Sequence, residues 1–148
     1  MNFRKGTLED LELIHEIRRA AILGITSKEL SRTECHTWAE RRSPEYFAPR
    51  VEAGEVVIVE NESGEAIAWG ASVGKRVEGI YVRPESGLRG VGRHLMSQLE
   101  KQVAVRGNSS AQLAASLNAV GFYEKIGYIA LHGVSDSLGF NCQVQFLI

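Results

Sequence analysis

Between Gly79 and Leu95 the chain reads Gly-Ile-Tyr-Val-Arg-Pro-Glu-Ser-Gly-Leu-Arg-Gly-Val-Gly-Arg-His-Leu, a set of residue types suited to binding an anion with main-chain groups. Ile80, Tyr81 and Val82 favour an extended strand, and Pro84, which has no N–H to donate, stops the ladder near Arg83. Gly87, Gly90 and Gly92 then leave the backbone uncovered. From Val91 onward Leu95, Leu99 and Val103 recur at helical spacing, which predicts a helix over 91–105. The first N–H groups of such a helix have no intrahelical acceptor and sit at the positive end of its dipole, so phosphate oxygens can take them. Two nucleotide loops fit poorly. A P-loop needs Lys-Ser or Lys-Thr after the glycines, and a dinucleotide fingerprint needs a third glycine where Leu95 stands.

A second stretch also passes from strand to helix. Residues 115–128 read Ala-Ser-Leu-Asn-Ala-Val-Gly-Phe-Tyr-Glu-Lys-Ile-Gly-Tyr, a strand end, an Asn suited to capping a helix, a short helix and a helix-stopping glycine. Together the two stretches resemble the signatures of the GNAT superfamily of N-acetyltransferases. The first matches its acyl-CoA pyrophosphate loop, Gln/Arg-x-x-Gly-x-Gly/Ala after a strand ending in Val-x-Pro, with Gly87 standing in the Gln/Arg position. The second matches its Asn, Phe-Tyr-Glu-Lys and Gly-Phe/Tyr run at Asn118, Phe122 to Lys125 and Gly127-Tyr128. The resemblance covers residues 79 to 128, about a third of the chain, in the family's order.

That resemblance implies acetyl transfer from acetyl-CoA, as co-substrate and without a metal, to a primary amine of a small molecule or peptide by direct attack in a ternary complex. It assigns the pyrophosphate to backbone N–H groups of Leu88, Arg89, Gly90, Val91, Gly92 and Arg93, with the two arginines as charged neighbours. It assigns the pantetheine arm to the main chain of Ile80, Tyr81 and Val82, with the Val82 amide toward the thioester oxygen. Asn118 caps its helix and touches the co-substrate. Tyr123 protonates the departing thiolate, or else fills core beside Phe122. Glu78, read as sharing a strand face with Ile80 and Val82, is the candidate base, or else a solvated strand end. His36 is the alternative base, bordering the acceptor cleft with Trp38 and Tyr46, which wall it alongside Phe47. The acceptor's identity is expected to lie in residues 22–54 and the last hairpin. A catalytically idle module that binds acetyl-CoA as a sensor is the alternative, favoured by Gly87.

The rest of the chain must position these groups. Its 148 residues, 44% apolar and 24% charged, are ordinary for one globular domain spanning residues 1–148. A net charge of −1 gives no global field for nucleic acid or an anionic membrane. No apolar run suits a membrane span or a signal peptide, so a cytoplasmic location is expected, with acetyl-CoA and an amine as partners and a homodimer left open. Cys35 and Cys142 stand alone and read as reduced thiols.

Asn2 to Lys5 suits a short strand, Thr7 and Asp10 a helix start, and Leu8, Leu11, Ile14, Ile17 and Ala21 one buried helical stripe, with Arg18 on the polar side and Gly24 at the end. Ser27 to Trp38 reads as an irregular helical region, and Ser43 to Phe47 as a short helix broken by Pro49. Strands follow at Val56 to Val59, Ala66 to Val73 and up to Arg83, then at Gln112 to Ala115 after the 91–105 helix. A helix over Asn118 to Ile126 and strands at Tyr128 to Val134 and about Phe140 to Leu147 complete the order. This implies an α/β (α+β) fold of GNAT type: a mixed, mostly antiparallel central sheet of about seven strands flanked by helices, with the strand-loop-helix unit at its centre as the acyl-CoA site.

Overall fold

Val-Val-Ile-Val at Val56–Val59 is an apolar run in which both sides of the strand must be covered, and the fold is built around that requirement. The computed structural model describes residues 1–87, 90–136 and 139–145. Its strands are β1 (Asn2–Lys5), β2 (Val56–Glu60), β3 (Ala66–Val73), β4 (Arg76–Val82), β5 (Ser110–Ser116), β6 (Ile129–Asp136) and β7 (Gly139–Gln145). Its helices are α1 (Leu11–Leu23), α2 (Arg32–Ala39), α3 (Ala48–Glu52), α4 (Val91–Val105) and α5 (Val120–Lys125). The seven strands form one sheet in the order β1-β2-β3-β4-β5-β7-β6. Every neighbouring pair is antiparallel except β4 with β5, which are joined by the α4 crossover. The mixed, mostly antiparallel sheet and its strand number agree with the sequence reading.

Alternation along β2 sorts the core into two layers. Val56 and Ile58 pack with Ile14 and Ile17 of α1, with Phe47 and Val51, and with Trp69 of β3. Val57 and Val59 point the other way, into a layer with Val91, Leu95, Met96 and Leu99 of α4. Helices α1 to α3 thus cover one face of the sheet and α4 the other.

Several boundaries depart from expectation. Helix α2 begins at Arg32 because Ser31 caps it, its Oγ accepting from Glu34 N–H at 3.0 Å while the Glu34 carboxylate accepts from Ser31 N–H at 3.1 Å. Pro44–Phe47 is a 3₁₀ turn that runs into α3, and Pro49 is accommodated in the first turn of α3, where no N–H is needed. Leu117–Ala119 is likewise a 3₁₀ turn ahead of α5, so Asn118 does not cap α5; its Oδ1 accepts from Ser116 Oγ at 2.7 Å. Arg18, expected on the polar side of α1, is only 4% exposed. Leu147, the expected end of the last strand, lies outside the described residues.

The feature that makes room for a ligand is the short contact between β4 and β5. They pair only at Arg76 with Gln112 and Val77 with Leu113. Beyond that point the two strands share no register, and their facing edges are left to border a cavity.

Candidate active site

That cavity, of about 710 Å³, has Gly79 to Val82 of β4 along one side and Ala114, Ser116, Asn118 and Tyr123 along the other. Gly87, Gly90, Gly92 and Arg93 close the end nearest α4. Gly90 is the residue before the helix and has φ +74°, a left-handed conformation that a side chain would strain. Val91 is 1% exposed and anchors the first turn of α4 in the core. Leu88 and Arg89, two of the expected pyrophosphate ligands, lie outside the described residues.

The direction of the β4 amides follows from its pairing. Arg83 N–H donates to Ile67 C=O at 2.9 Å, and main-chain groups alternate along an antiparallel strand. The N–H groups of Tyr81 and Arg83 therefore point toward β3, and those of Ile80 and Val82 point into the gap.

A bulge changes where the side chains go. The register with β3 passes from Ala71 opposite Gly79 to Ser72 opposite Val77, leaving Glu78 as an extra residue. Parity flips across it. Val77, Ile80 and Val82 pack into the α4 layer, whereas Tyr81 packs into the α1–α3 layer. Glu78 is on the Tyr81 side, with its carboxylate 3.7 Å from the Arg50 guanidinium of α3. The expectation that Glu78 shares a face with Ile80 and Val82 is corrected by this one inserted residue.

On the Glu78 side lies a second, smaller cavity of about 200 Å³ that meets the first at Trp38, Arg42, Glu78, Gly79 and Tyr81. Tyr46 borders it with its ring beneath the Arg42 guanidinium, 4.3 Å from the centroid, and Phe47 packs behind, edge-on to Trp69. Tyr81 lies 4.9 Å from Trp69, and the Arg18 guanidinium is 5.8 Å from its ring. Burial pushes the Tyr81 phenol above its ordinary range, against the opposing pull of Arg18. His36 is exposed on α2 and forms part of neither cavity wall.

Tyr123 reaches the first cavity while 6% exposed, its ring 5.1 Å from Phe122 and 5.7 Å from Tyr128. Its carbonyl accepts from Tyr128 N–H at 3.0 Å, which fastens the end of α5 to the start of β6. Tyr128 in turn donates to Glu100 at 3.1 Å, and burial raises the Glu100 carboxyl above the usual range.

Residues 26–140 match a family model described as an acetyltransferase (GNAT) domain. The chain belongs to the GNAT acetyltransferase family. Enzymes of this family use acetyl-CoA as co-substrate. Solved structures share the fold of this GNAT chain. A GCN5-related N-acetyltransferase from Rhodopseudomonas palustris is 24% identical with a TM-score of 0.89, covering 98% of this chain and 95% of its own. The PaiA N-acetyltransferase from Thermoplasma acidophilum, solved in complex with coenzyme A, is 21% identical with a TM-score of 0.76 over 98% of both chains. A putative acetyltransferase from Salmonella typhimurium, yncA, solved with acetyl-CoA, is 19% identical with a TM-score of 0.69 over 100% of this chain and 95% of its own. No curated protein sequence matches the chain.

The cavities suit the co-substrate of a GNAT enzyme: a gap with free strand amides, ended by an uncovered glycine loop at a helix start. No group of three His, Cys, Asp or Glu side chains among the described residues could hold a metal ion, and no described helix is long and apolar enough to cross a membrane. Two residues that line these cavities, Arg18 and Arg42, are not among the candidates that the sequence offers. Helical counting puts Arg18 among solvated charges, yet its guanidinium turns under α2, donating to Ala39 C=O at 3.3 Å and Trp38 C=O at 3.1 Å. Arg42 followed Arg41 in a stretch expected to choose the acceptor, and that pair of cations was the signal available.

Proposed function

We propose that this chain transfers an acetyl group from acetyl-CoA to a primary amine by direct attack within a ternary complex. The meeting of the two cavities at Glu78–Tyr81 carries the reading, because it gives the acyl donor and the acceptor separate entrances to one point. The loop from Gly87 to Arg93 holds the pyrophosphate through main-chain N–H groups, with Asn118 at the cavity wall beside it. The amides of Ile80 and Val82 pair with the pantetheine arm, and Val82 N–H donates to the thioester oxygen as it gains negative charge. Trp38 and Tyr46 wall the acceptor side.

Two protons need carriers. An ammonium near its reference pKa of about 10 is no nucleophile, and Glu78 accepts the proton it sheds, directly or across one water. The amine nitrogen then bonds to the carbonyl carbon and the carbon–sulfur bond breaks. Tyr123 gives its phenolic proton to the thiolate, and the second proton lost by nitrogen restores the phenol.

The experiment combines binding and turnover. Acetyl-CoA and CoA are expected to raise the melting temperature well beyond adenosine, as a ligand selective for the folded state does, and a primary amine is expected to cause acceptor-dependent release of CoA. If CoA stabilises no better than adenosine, the loop does not hold the pyrophosphate. Stabilisation without CoA release across a panel of cationic, neutral and anionic amines would remove the transfer reading.

A further inference from the structure

We propose that the acceptor is a small amine that also carries a carboxylate, and that Arg18 and Arg42 bind that carboxylate in the smaller cavity. This rests on the transfer reading above and narrows it to amino-acid-like substrates. Around that cavity stand four guanidinium groups, Arg18, Arg41, Arg42 and Arg50, against one carboxylate, Glu78. The chain as a whole has a net charge of −1, so the excess is local. Arg50 is accounted for by Glu55 at 3.8 Å and Glu78 at 3.7 Å. Arg18 has no carboxylate partner: it is 4% exposed, and no ion pair among the described residues includes it.

A buried cation without a counter-ion is costly, and the groups around Arg18, two backbone carbonyls, the Tyr81 phenol and the Phe47 and Tyr81 rings, are all neutral. An arriving carboxylate supplies the missing charge and takes the planar fork two bonds at a time. Arg42 stands at the boundary of both cavities, held over the Tyr46 ring, with His15 Nε2 2.8 Å from its carbonyl oxygen. The cluster is not an outpost of the pyrophosphate site, because Gly87, Gly90, Gly92 and Arg93 border only the larger cavity. About 200 Å³ admits a group of amino-acid size, and an acceptor whose only charge is positive meets like charges there.

The test compares acceptors that differ by the carboxylate alone: leucine with isoamylamine, phenylalanine with phenethylamine, and leucine with its aminophosphonate analogue. The expected result is a kcat/KM for each amino acid about 10- to 100-fold above that of its decarboxylated partner, the worth of a charge-assisted bidentate contact. Arg18→Gln is expected to collapse that ratio toward one and Arg18→Lys to recover part of it. Arg42→Ala, whose side chain is half-buried, gives the same reading should Arg18→Gln fail to fold. Equal rates for acids and plain amines would overturn the carboxylate proposal and leave amine acetylation standing. A phosphonate preferred over the carboxylate would overturn it too. If no amine is acetylated, the transfer reading falls, and calorimetric titration of N-acetylleucine against N-acetylisoamylamine into the CoA-loaded protein decides the proposal: equal affinity overturns it, and preference for the acid that is lost in Arg42→Ala supports it.

Discussion

At the scale of the residue, Tyr123 carries the sharpest chemical claim, and its surroundings make the test clean. Tyr123→Phe removes one hydroxyl from a ring packed on Phe122 and Tyr128 and keeps its volume, so the fold and acetyl-CoA binding are expected to survive. General acid catalysis is worth about 10²–10⁴ in rate, and single-turnover acetylation, which excludes product release, is expected to slow by that factor. Unchanged single-turnover kinetics would make Tyr123 a packing residue. Tyr123 was legible in the sequence because its frame, from Asn118 to Tyr128, is a long ordered pattern. Arg18 was not, because helical periodicity reports which way a side chain starts and not where a long one ends. Its Cα lies beside the buried stripe of Ile14 and Ile17, and the aliphatic stem carries the charge under α2.

Among the elements, the helices and strands that meet the loop were the most legible. Helix α4 covers the predicted residues 91–105 because its apolar stripe is regular and Gly90 breaks the chain before it. What could not be read was the bulge at Glu78, since a register is a property of two strands and the β4 sequence alone does not reveal its offset from β3. The placement of the end of α1 against Pro84 was hidden for the same reason. Gly24 was legible as a helix end, yet its φ of −80° needs no glycine; the demand comes from Pro84, whose Cγ would lie 2.4 Å from an added Cβ. Gly24→Ala must therefore push the end of α1 away from the segment joining β4 to the loop. Overpacking of this kind costs typically about 1–3 kcal/mol, so a lower melting temperature is expected, together with weaker acetyl-CoA stabilisation as the loop shifts. An alanine variant as stable as the parent would show that the contact yields without strain.

For the whole molecule, the long-range tie among β1, β2 and the start of α1 is a carboxylate-guanidinium network, which makes stability depend on pH. Arg4 donates to both oxygens of Asp10, at 2.8 and 2.9 Å, and to Glu60 at 3.0 Å, while Thr7 N–H adds a bond to Asp10 at 2.7 Å. The hydrogen bonds from Arg4, set against burial, hold the Asp10 carboxyl down from its ordinary 3.8 to about 2, and Arg4 lowers Glu60 as well. A carboxylate whose pKa is lower in the folded chain contributes stability that is fully present above its unfolded value and is lost as pH falls through the folded one. The window is therefore from about pH 4 down to about pH 2. The Arg4 side chain is 32% exposed, and screening by water keeps the expected contribution to about 1 kcal/mol. Denaturant unfolding of the parent and of Arg4→Met at steps from pH 7 to pH 2 measures it. The variant is expected to be less stable at neutral pH, where Asp10 is left charged and unpaired. The gap should then close as protons neutralise Asp10 in both proteins. A gap that stays constant across that range would mean that Arg4 supports the sheet through its packing and that its charge contributes nothing.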